Sequence, residues 1–171
     1  MSIDSVEKMY RWINLRGTEG GNVGRETNIN EPENNPDGLS NGKNFVFVHG
    51  YSVNENSARG WNAEIFKRLY WAGSQNKFYA VTWFGNDSQK WWLGNNTPDY
   101  HVNVKHALNT ARELAYYLDT QLTGDTVVAA HSLGNVLVLN SIARYDARIT
   151  KFFMLNAAVA IESLDDDVNL I

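Results

Sequence analysis

Residues 126–134 have the sequence Thr-Val-Val-Ala-Ala-His-Ser-Leu-Gly. The first five favour a buried strand, and residues 133–144 carry apolar side chains at helical spacing, so Ser132 is predicted to lie on a tight strand-to-helix turn. Ala130 and Gly134, two residues before and after that serine, are small, as such a turn requires where the strand and the helix nearly touch. The turn would lift the serine hydroxyl above the C-terminal edge of a sheet, where open α/β sheets bind ligands.

A second strand end carries a related signal. Residues 45–48, Phe-Val-Phe-Val, form an apolar run typical of a strand buried on both faces, and residues 49–51, His-Gly-Tyr, follow directly. Gly50 allows the backbone to turn sharply, so that the amide of Tyr51 can face the same hydroxyl as the amide of Leu133. Two N–H donors that converge in this way form an oxyanion hole, worth about 3–4 kcal/mol per donor.

Strands and helices alternate through this part of the chain. The predicted strands cover residues 45–48, 78–83, 126–130 and 152–155. The segments between them have apolar residues at helical spacing and are predicted to be helices. Strands separated by helices imply right-handed crossovers and a mainly parallel sheet. The predicted fold class is therefore α/β, a three-layer sandwich.

The N-terminal quarter is predicted to be organised differently. Residues 1–16 have apolar side chains at helical spacing and predict a short amphipathic helix that docks on the body. Residues 17–43 are rich in glycine and poor in apolar residues, so they predict a linker or long loop. Residues 44–171 are predicted to form the α/β domain.

Composition excludes several classes of protein. The 171 residues carry a net charge of −4, which disfavours nucleic acid and anionic membranes as main partners, and the absence of cysteine excludes disulfides and thiolate ligands. No apolar run approaches the roughly 18 residues of a membrane span, and the N-terminus lacks a signal-peptide core. No metal or cofactor motif stands out, so neither is expected. The compartment is left open.

Taken together, these motifs resemble the α/β-hydrolase superfamily. The strand ends Phe-Val-His-Gly-Tyr and Ala-Val-Thr-Trp and the turn Ala-His-Ser-Leu-Gly match its central strands in order, and the turn is most similar to that of small bacterial lipases and esterases. The resemblance implies Ser132 as nucleophile and the backbone amides of Tyr51 and Leu133 as oxyanion hole. The resemblance implies supporting, structural roles next to the nucleophile and the oxyanion hole for His49, Gly50 and His131.

The acid and the base of the implied triad are harder to place. The family order is serine, acid, histidine, yet all four histidines, His49, His101, His106 and His131, precede or adjoin Ser132. Acid candidates lie in the C-terminal tail, which could equally form a solvated turn; they are Glu162, Asp165, Asp166 and Asp167. The resemblance thus implies a fold that lacks its last strands, with the base supplied by a longer parent or another chain.

Two functions stay open. One is a serine hydrolase that cleaves small-molecule or lipid carboxylic esters through an acyl-enzyme on Ser132. The other is a catalytically incomplete relative that acts as a binding or interaction module. The resemblance also implies that strand 78–83 lies at one sheet edge and strand 152–155 at the other. An uncovered edge at residues 152–156 would favour pairing with a second copy or with a missing C-terminal half.

Overall fold

A computed structural model describes residues 3–17, 22–29, 40–90 and 96–159. In chain order, their helices and strands are α1 (Ile3–Glu7), β1 (Arg11–Leu15), β2 (Glu26–Thr27), β3 (Asn44–Val48), α2 (Glu55–Trp71), β4 (Lys77–Trp83), β5 (Ser88–Lys90), β6 (Asn96–Pro98), α3 (Tyr100–Thr120), β7 (Thr126–His131), α4 (Gly134–Tyr145) and β8 (Lys151–Leu155). The four predicted strands and the helices between them are all present.

The main sheet has six strands in the order β2-β1-β4-β3-β7-β8. Every neighbouring pair is parallel except β1 and β2, which are antiparallel. Strands β5 and β6 form a separate two-stranded antiparallel sheet. The predicted mainly parallel α/β sheet is confirmed.

Helices cover both faces of the sheet. Phe47, Phe78 and Ala80 pack on one face with buried residues of α2 and the segment around α1. Val46, Val48 and other residues of the opposite face pack with α3 and α4. Because β3 alternates between the two clusters, it is buried on both sides, as its continuous apolar sequence predicts. The molecule is a three-layer sandwich.

The prediction of one helix over residues 1–16 is wrong. The helix covers only Ile3–Glu7, and residues 11–15 form β1, which pairs with β4 in parallel. Val6 and Tyr10 belong to the core on the α2 side, whereas Ile13 belongs to the core on the other face. These side chains therefore never share one helical face, although their spacing suggests it.

Two further predictions are corrected by the same strand. Strand β4 is not at an edge, because β1 and then β2 extend the sheet beyond it. The segment 17–43 is not wholly irregular, since Glu26–Thr27 forms β2 against β1. The domain boundary at residue 44 is wrong as well, because residues before it contribute two strands to the sheet.

The connections after β3 and β7 leave the sheet toward opposite faces. Helix α2 follows β3 and packs on one face, whereas α4 follows β7 and packs on the other. Neighbouring parallel strands with diverging connections leave a crevice at their C-terminal ends, which is the usual ligand site of an open α/β sheet. Residues 49–51 and Ser132 follow these two strands.

Candidate active site

Ser132 occupies a strained position between β7 and α4. Its φ angle is +50°, a left-handed conformation that residues with a side chain seldom adopt. Its N–H donates to the carbonyl of Leu155 at 2.9 Å, and its own carbonyl accepts from the Nδ2 of Asn135 at 2.8 Å and from the N–H of Ala158 at 3.2 Å. Strand β8 and the start of α4 thus hold the turn in this conformation.

Two glycines allow the strand ends to approach the turn. A Cβ on Gly134 would lie 2.5 Å from the carbonyl oxygen of His49, so the start of α4 leaves no room for a side chain. A Cβ on Gly50 would lie 2.8 Å from the Cβ of Ser132 and 2.8 Å from the carbonyl oxygen of His131. The loop after β3 therefore lies directly against the serine, as the sequence predicts.

His49 is fully buried beneath this loop. Its Nε2 accepts the N–H of Trp83 at 3.2 Å, so the ring proton is on Nδ1, which lies 2.9 Å from the carbonyl oxygen of Gly50 and donates to it. The imidazole stacks on the Trp83 ring with centroids 5.7 Å apart. Burial lowers the pKa of His49 to about 3, so the ring is neutral near neutral pH. Its two hydrogen bonds give it a structural role in holding the loop.

The bond from His49 fixes the direction of the next amide. Within a trans peptide unit the C=O and N–H point in opposite directions, so a Gly50 carbonyl held by His49 aims the Tyr51 N–H away from that ring. Among the described residues, neither the Tyr51 nor the Leu133 N–H donates to a protein group. Leu133 also caps the N-terminus of α4, where the helix dipole favours negative charge.

Arg16 helps to hold the loops around the candidate site, and the sequence alone does not predict this role. Its guanidinium donates to the Thr82 hydroxyl at 2.7 Å, to Asn86 Oδ1 at 2.7 Å and to the carbonyl oxygen of Val53 at 2.5 Å. Burial lowers the pKa of Arg16 to about 10. Arg16 thus ties the end of β1 to the end of β4 and to the loop that carries Tyr51. This role of Arg16 could be predicted from the sequence only if residues 11–15 were first recognised as a strand beside β4.

Aromatic side chains flank the turn. The ring of Trp61 lies 5.2 Å from that of half-buried His131, and the ring of Tyr100 lies 5.4 Å from that of Tyr51. Trp61 and Tyr100 are both exposed. Desolvation, with a contribution from Asp99, raises the pKa of the Tyr51 hydroxyl, which therefore stays protonated near neutral pH. These rings offer apolar contacts to a bound molecule.

The structure does not bring a histidine to hydrogen-bonding distance of Ser132 within the described residues. His106 is instead buried beneath Phe84, with its Nε2 3.2 Å from Asp87 Oδ2. His101 is exposed in the first turn of α3, with its ring 6.3 Å from that of Tyr100. The acid candidates Glu162, Asp165, Asp166 and Asp167 lie outside the described residues.

The described part of the chain assembles no group of three or more metal-ligating side chains. It also contains no helix that is both long and apolar enough to cross a membrane.

A family model described as "Alpha/beta hydrolase family" matches residues 45–170. The match covers most of the chain and agrees with the parallel sheet and the strained serine, so the chain belongs to the α/β hydrolase family. Comparison with curated proteins and with solved structures gives no match.

Proposed function

We propose that this protein is a serine hydrolase that cleaves carboxylic esters through an acyl-enzyme on Ser132. The observation that carries the proposal is the left-handed conformation of Ser132 on the turn between β7 and α4, with Gly50 packed against its Cβ. Such strain at a half-buried serine between a strand and a helix favours a nucleophile over a purely structural serine.

The proposed step uses groups that converge on this turn. Ser132 Oγ attacks the ester carbonyl carbon, a base takes its proton, and the carbonyl oxygen becomes an oxyanion. The amides of Tyr51 and Leu133 stabilise that oxyanion. The C–O bond to the alcohol then breaks, the alcohol leaves with a proton, and water releases the acid from the acyl-enzyme.

The aromatic surroundings support an ester with an apolar acyl or alcohol group. Trp61 lies beside His131, and Tyr100 lies beside Tyr51, so exposed rings border the turn from α2 and from α3. Burial of apolar area against such rings contributes about 25 cal/mol per Å². Small-molecule esters and lipid esters both have this chemistry.

A second candidate function rests on the absence of a histidine bonded to Ser132 among the described residues. A serine without its base is a poor nucleophile, although the oxyanion hole and the binding surface would persist. The chain would then bind esters or their analogues without efficient turnover, as a binding or interaction module.

Hydrolysis of p-nitrophenyl acetate, butyrate and octanoate distinguishes the two candidates. The hydrolase proposal expects saturable turnover that Ser132→Ala abolishes and that Ser57→Ala, at an exposed serine of α2, leaves unchanged. Saturable binding of the octanoate ester without turnover, equal in both variants, would favour the binding module and contradict the hydrolase.

A further inference from the structure

The peptide units on both sides of the Tyr51 amide are bonded to neighbouring parts of the sheet. On one side, His49 Nδ1 donates to the carbonyl oxygen of Gly50 at 2.9 Å. On the other side, the N–H of Ser52 donates to the carbonyl oxygen of Gly85, just beyond β4, at 2.8 Å. Because each peptide unit is planar, these two bonds limit the directions that the Tyr51 N–H can take.

Ser52, the next residue, has a strained backbone conformation. Its φ angle is +58°, in the left-handed region that residues with a side chain seldom adopt. The Ser52 side chain is exposed, so its own packing does not stabilise that conformation. Strain of this kind persists only where the surroundings fix the backbone. The groups that bind the backbone next to Ser52 therefore determine the shape of the loop.

Arg16 binds the backbone on the far side of Ser52 and supports the bond on the near side. Its Nη2 donates to the carbonyl oxygen of Val53 at 2.5 Å. Its Nε donates to Thr82 Oγ1 at 2.7 Å, and that oxygen lies 3.3 Å from Nε2 of His49. The contact with Thr82 thus steadies the imidazole ring that holds the other end of the loop.

A third contact of the guanidinium supports the bond made by Ser52. Nη1 of Arg16 donates to Oδ1 of Asn86 at 2.7 Å. Asn86 directly follows Gly85, whose carbonyl oxygen accepts the Ser52 N–H. The N–H donors of an arginine have a fixed planar arrangement that a lysine ammonium does not reproduce. One guanidinium can therefore hold acceptors on a strand and on two loops at the same time.

The hydrogen-bond acceptors of Arg16 are all neutral groups. Among the described residues Arg16 forms no ion pair. Burial lowers the pKa of Arg16 to about 10, although the charge of Glu55 acts in the opposite direction, so the side chain stays protonated near neutral pH. A half-buried cation loses hydration that neutral partners replace only in part. A charge kept at this cost beside the candidate site favours a role in that site.

We propose that Arg16 is a positioning residue for the oxyanion hole, because it holds the loop 50–53 from three directions and so fixes the N–H of Tyr51 toward Ser132. The kinetic consequence rests on the proposed hydrolase function. The family match begins at residue 45, so Arg16, at the end of β1, lies outside it. The N-terminal strand would thus contribute to a site that the matched part of the chain carries.

Hydrolysis of p-nitrophenyl butyrate by the full chain tests the kinetic consequence. Arg16→Met should lower kcat between about tenfold and hundredfold and leave KM within about threefold, because a displaced oxyanion donor weakens binding of the transition state and not of the ester. Arg16→Lys should recover part of kcat, since an ammonium can still donate to the carbonyl oxygen of Val53. A kcat of Arg16→Met within about twofold of wild type would overturn the proposal.

Arg11→Met is the matched control for loss of structure in β1. Arg11 is a buried arginine at the other end of the same strand, and it bonds to the carbonyl of Ile29. Its replacement should keep kcat and KM within about twofold. Equal losses of kcat in Arg11→Met and Arg16→Met would show that Arg16 acts only through the stability of the strand, and the proposal would be wrong.

Amide hydrogen exchange of the ¹⁵N-labelled full chain gives a readout that does not depend on hydrolysis. In Arg16→Met the N–H of Ser52 should exchange at least about tenfold faster than in wild type, whereas in Arg11→Met it should not. Unchanged exchange in Arg16→Met would overturn the proposal whatever the activity of the wild type. Faster exchange confined to Arg16→Met, in a wild type that does not hydrolyse esters, would support the hold on the loop and contradict only the hydrolase function.

Discussion

The imidazole Nδ1 of His49 lies 2.9 Å from the carbonyl oxygen of Gly50, the next residue. This bond joins a buried ring of the core to the peptide unit that carries the Tyr51 amide. Because Nε2 of the same ring accepts from the N–H of Trp83, the orientation of that peptide is set by strand β4. His49 is thus a positioning residue for the proposed oxyanion hole.

The neutral state of His49 predicts a pH dependence of stability. Its pKa of about 3 in the folded chain lies below the value of about 6.5 in the unfolded chain. As pH falls below about 6.5 the unfolded state binds a proton that the folded state does not, so His49 lowers the free energy of unfolding by up to about 1.4 kcal/mol per pH unit. The loss begins near pH 6.5 and continues to about pH 3.

Urea unfolding of wild type and His49→Gln at several pH values between 7 and 4 measures this contribution. The variant is expected to be less stable at pH 7 and to lose less stability as pH falls. Parallel pH profiles for the two proteins would show that His49 titrates normally in the folded chain.

Alanine substitutions at Gly134 and Gly60 are expected to change the stability of the chain in opposite directions. Gly134→Ala would place a Cβ 2.5 Å from the carbonyl oxygen of His49, and overpacking of this kind costs about 1–3 kcal/mol. Gly60→Ala, within α2, has no heavy atom within 4 Å of the new Cβ and should stabilise the chain by about 0.5–1 kcal/mol. Thermal unfolding of both variants checks the signs. A Gly134→Ala protein as stable as wild type would contradict the close approach of α4 to β3.

Strand β8 predicts association along residues 152–156. Within the described residues β8 pairs only with β7, and Phe153 on it is 51% exposed. An edge strand with exposed apolar side chains favours pairing with another chain. Sedimentation at micromolar concentration should show self-association that Phe153→Lys weakens. Trp71→Lys is the control, because Trp71 is 75% exposed on α2, far along the chain from this edge. A monomeric wild type would contradict the prediction.

The turn at Ser132 and the Gly50 loop were predictable because their signals are local. A strand-forming run and two small residues adjoin Ser132, and Gly50 closely follows a second strand-forming run, so each of these two signals lies within a few residues of sequence. The close contacts of Gly50 and Gly134 are the physical reason for those glycines. Local sequence is therefore enough to predict a turn or loop where close backbone contacts require small residues at fixed positions.

Strand β1 was not predictable because long-range contacts make it a strand. Arg11 is buried with its guanidinium 5.5 Å from the centroid of the Tyr79 ring and with its Nε bonded to the carbonyl of Ile29. A buried arginine breaks the alternation of apolar and polar residues from which a strand is recognised. The contacts of Arg16 with Thr82, Asn86 and Val53 depend on the same strand and were missed for the same reason.

Fluorophosphonate labelling tests the central claim, that Ser132 is an activated nucleophile, most directly. The serine oxygen attacks phosphorus and displaces fluoride, so intact-protein mass spectrometry reports one phosphonyl adduct and peptide mapping reports its position. The account predicts a single adduct on Ser132, with none on the Ser132→Ala protein and an unchanged adduct on the Ser57→Ala protein. A wild-type chain that stays unlabelled under conditions that label a known serine esterase, or that is labelled at another serine, would contradict it.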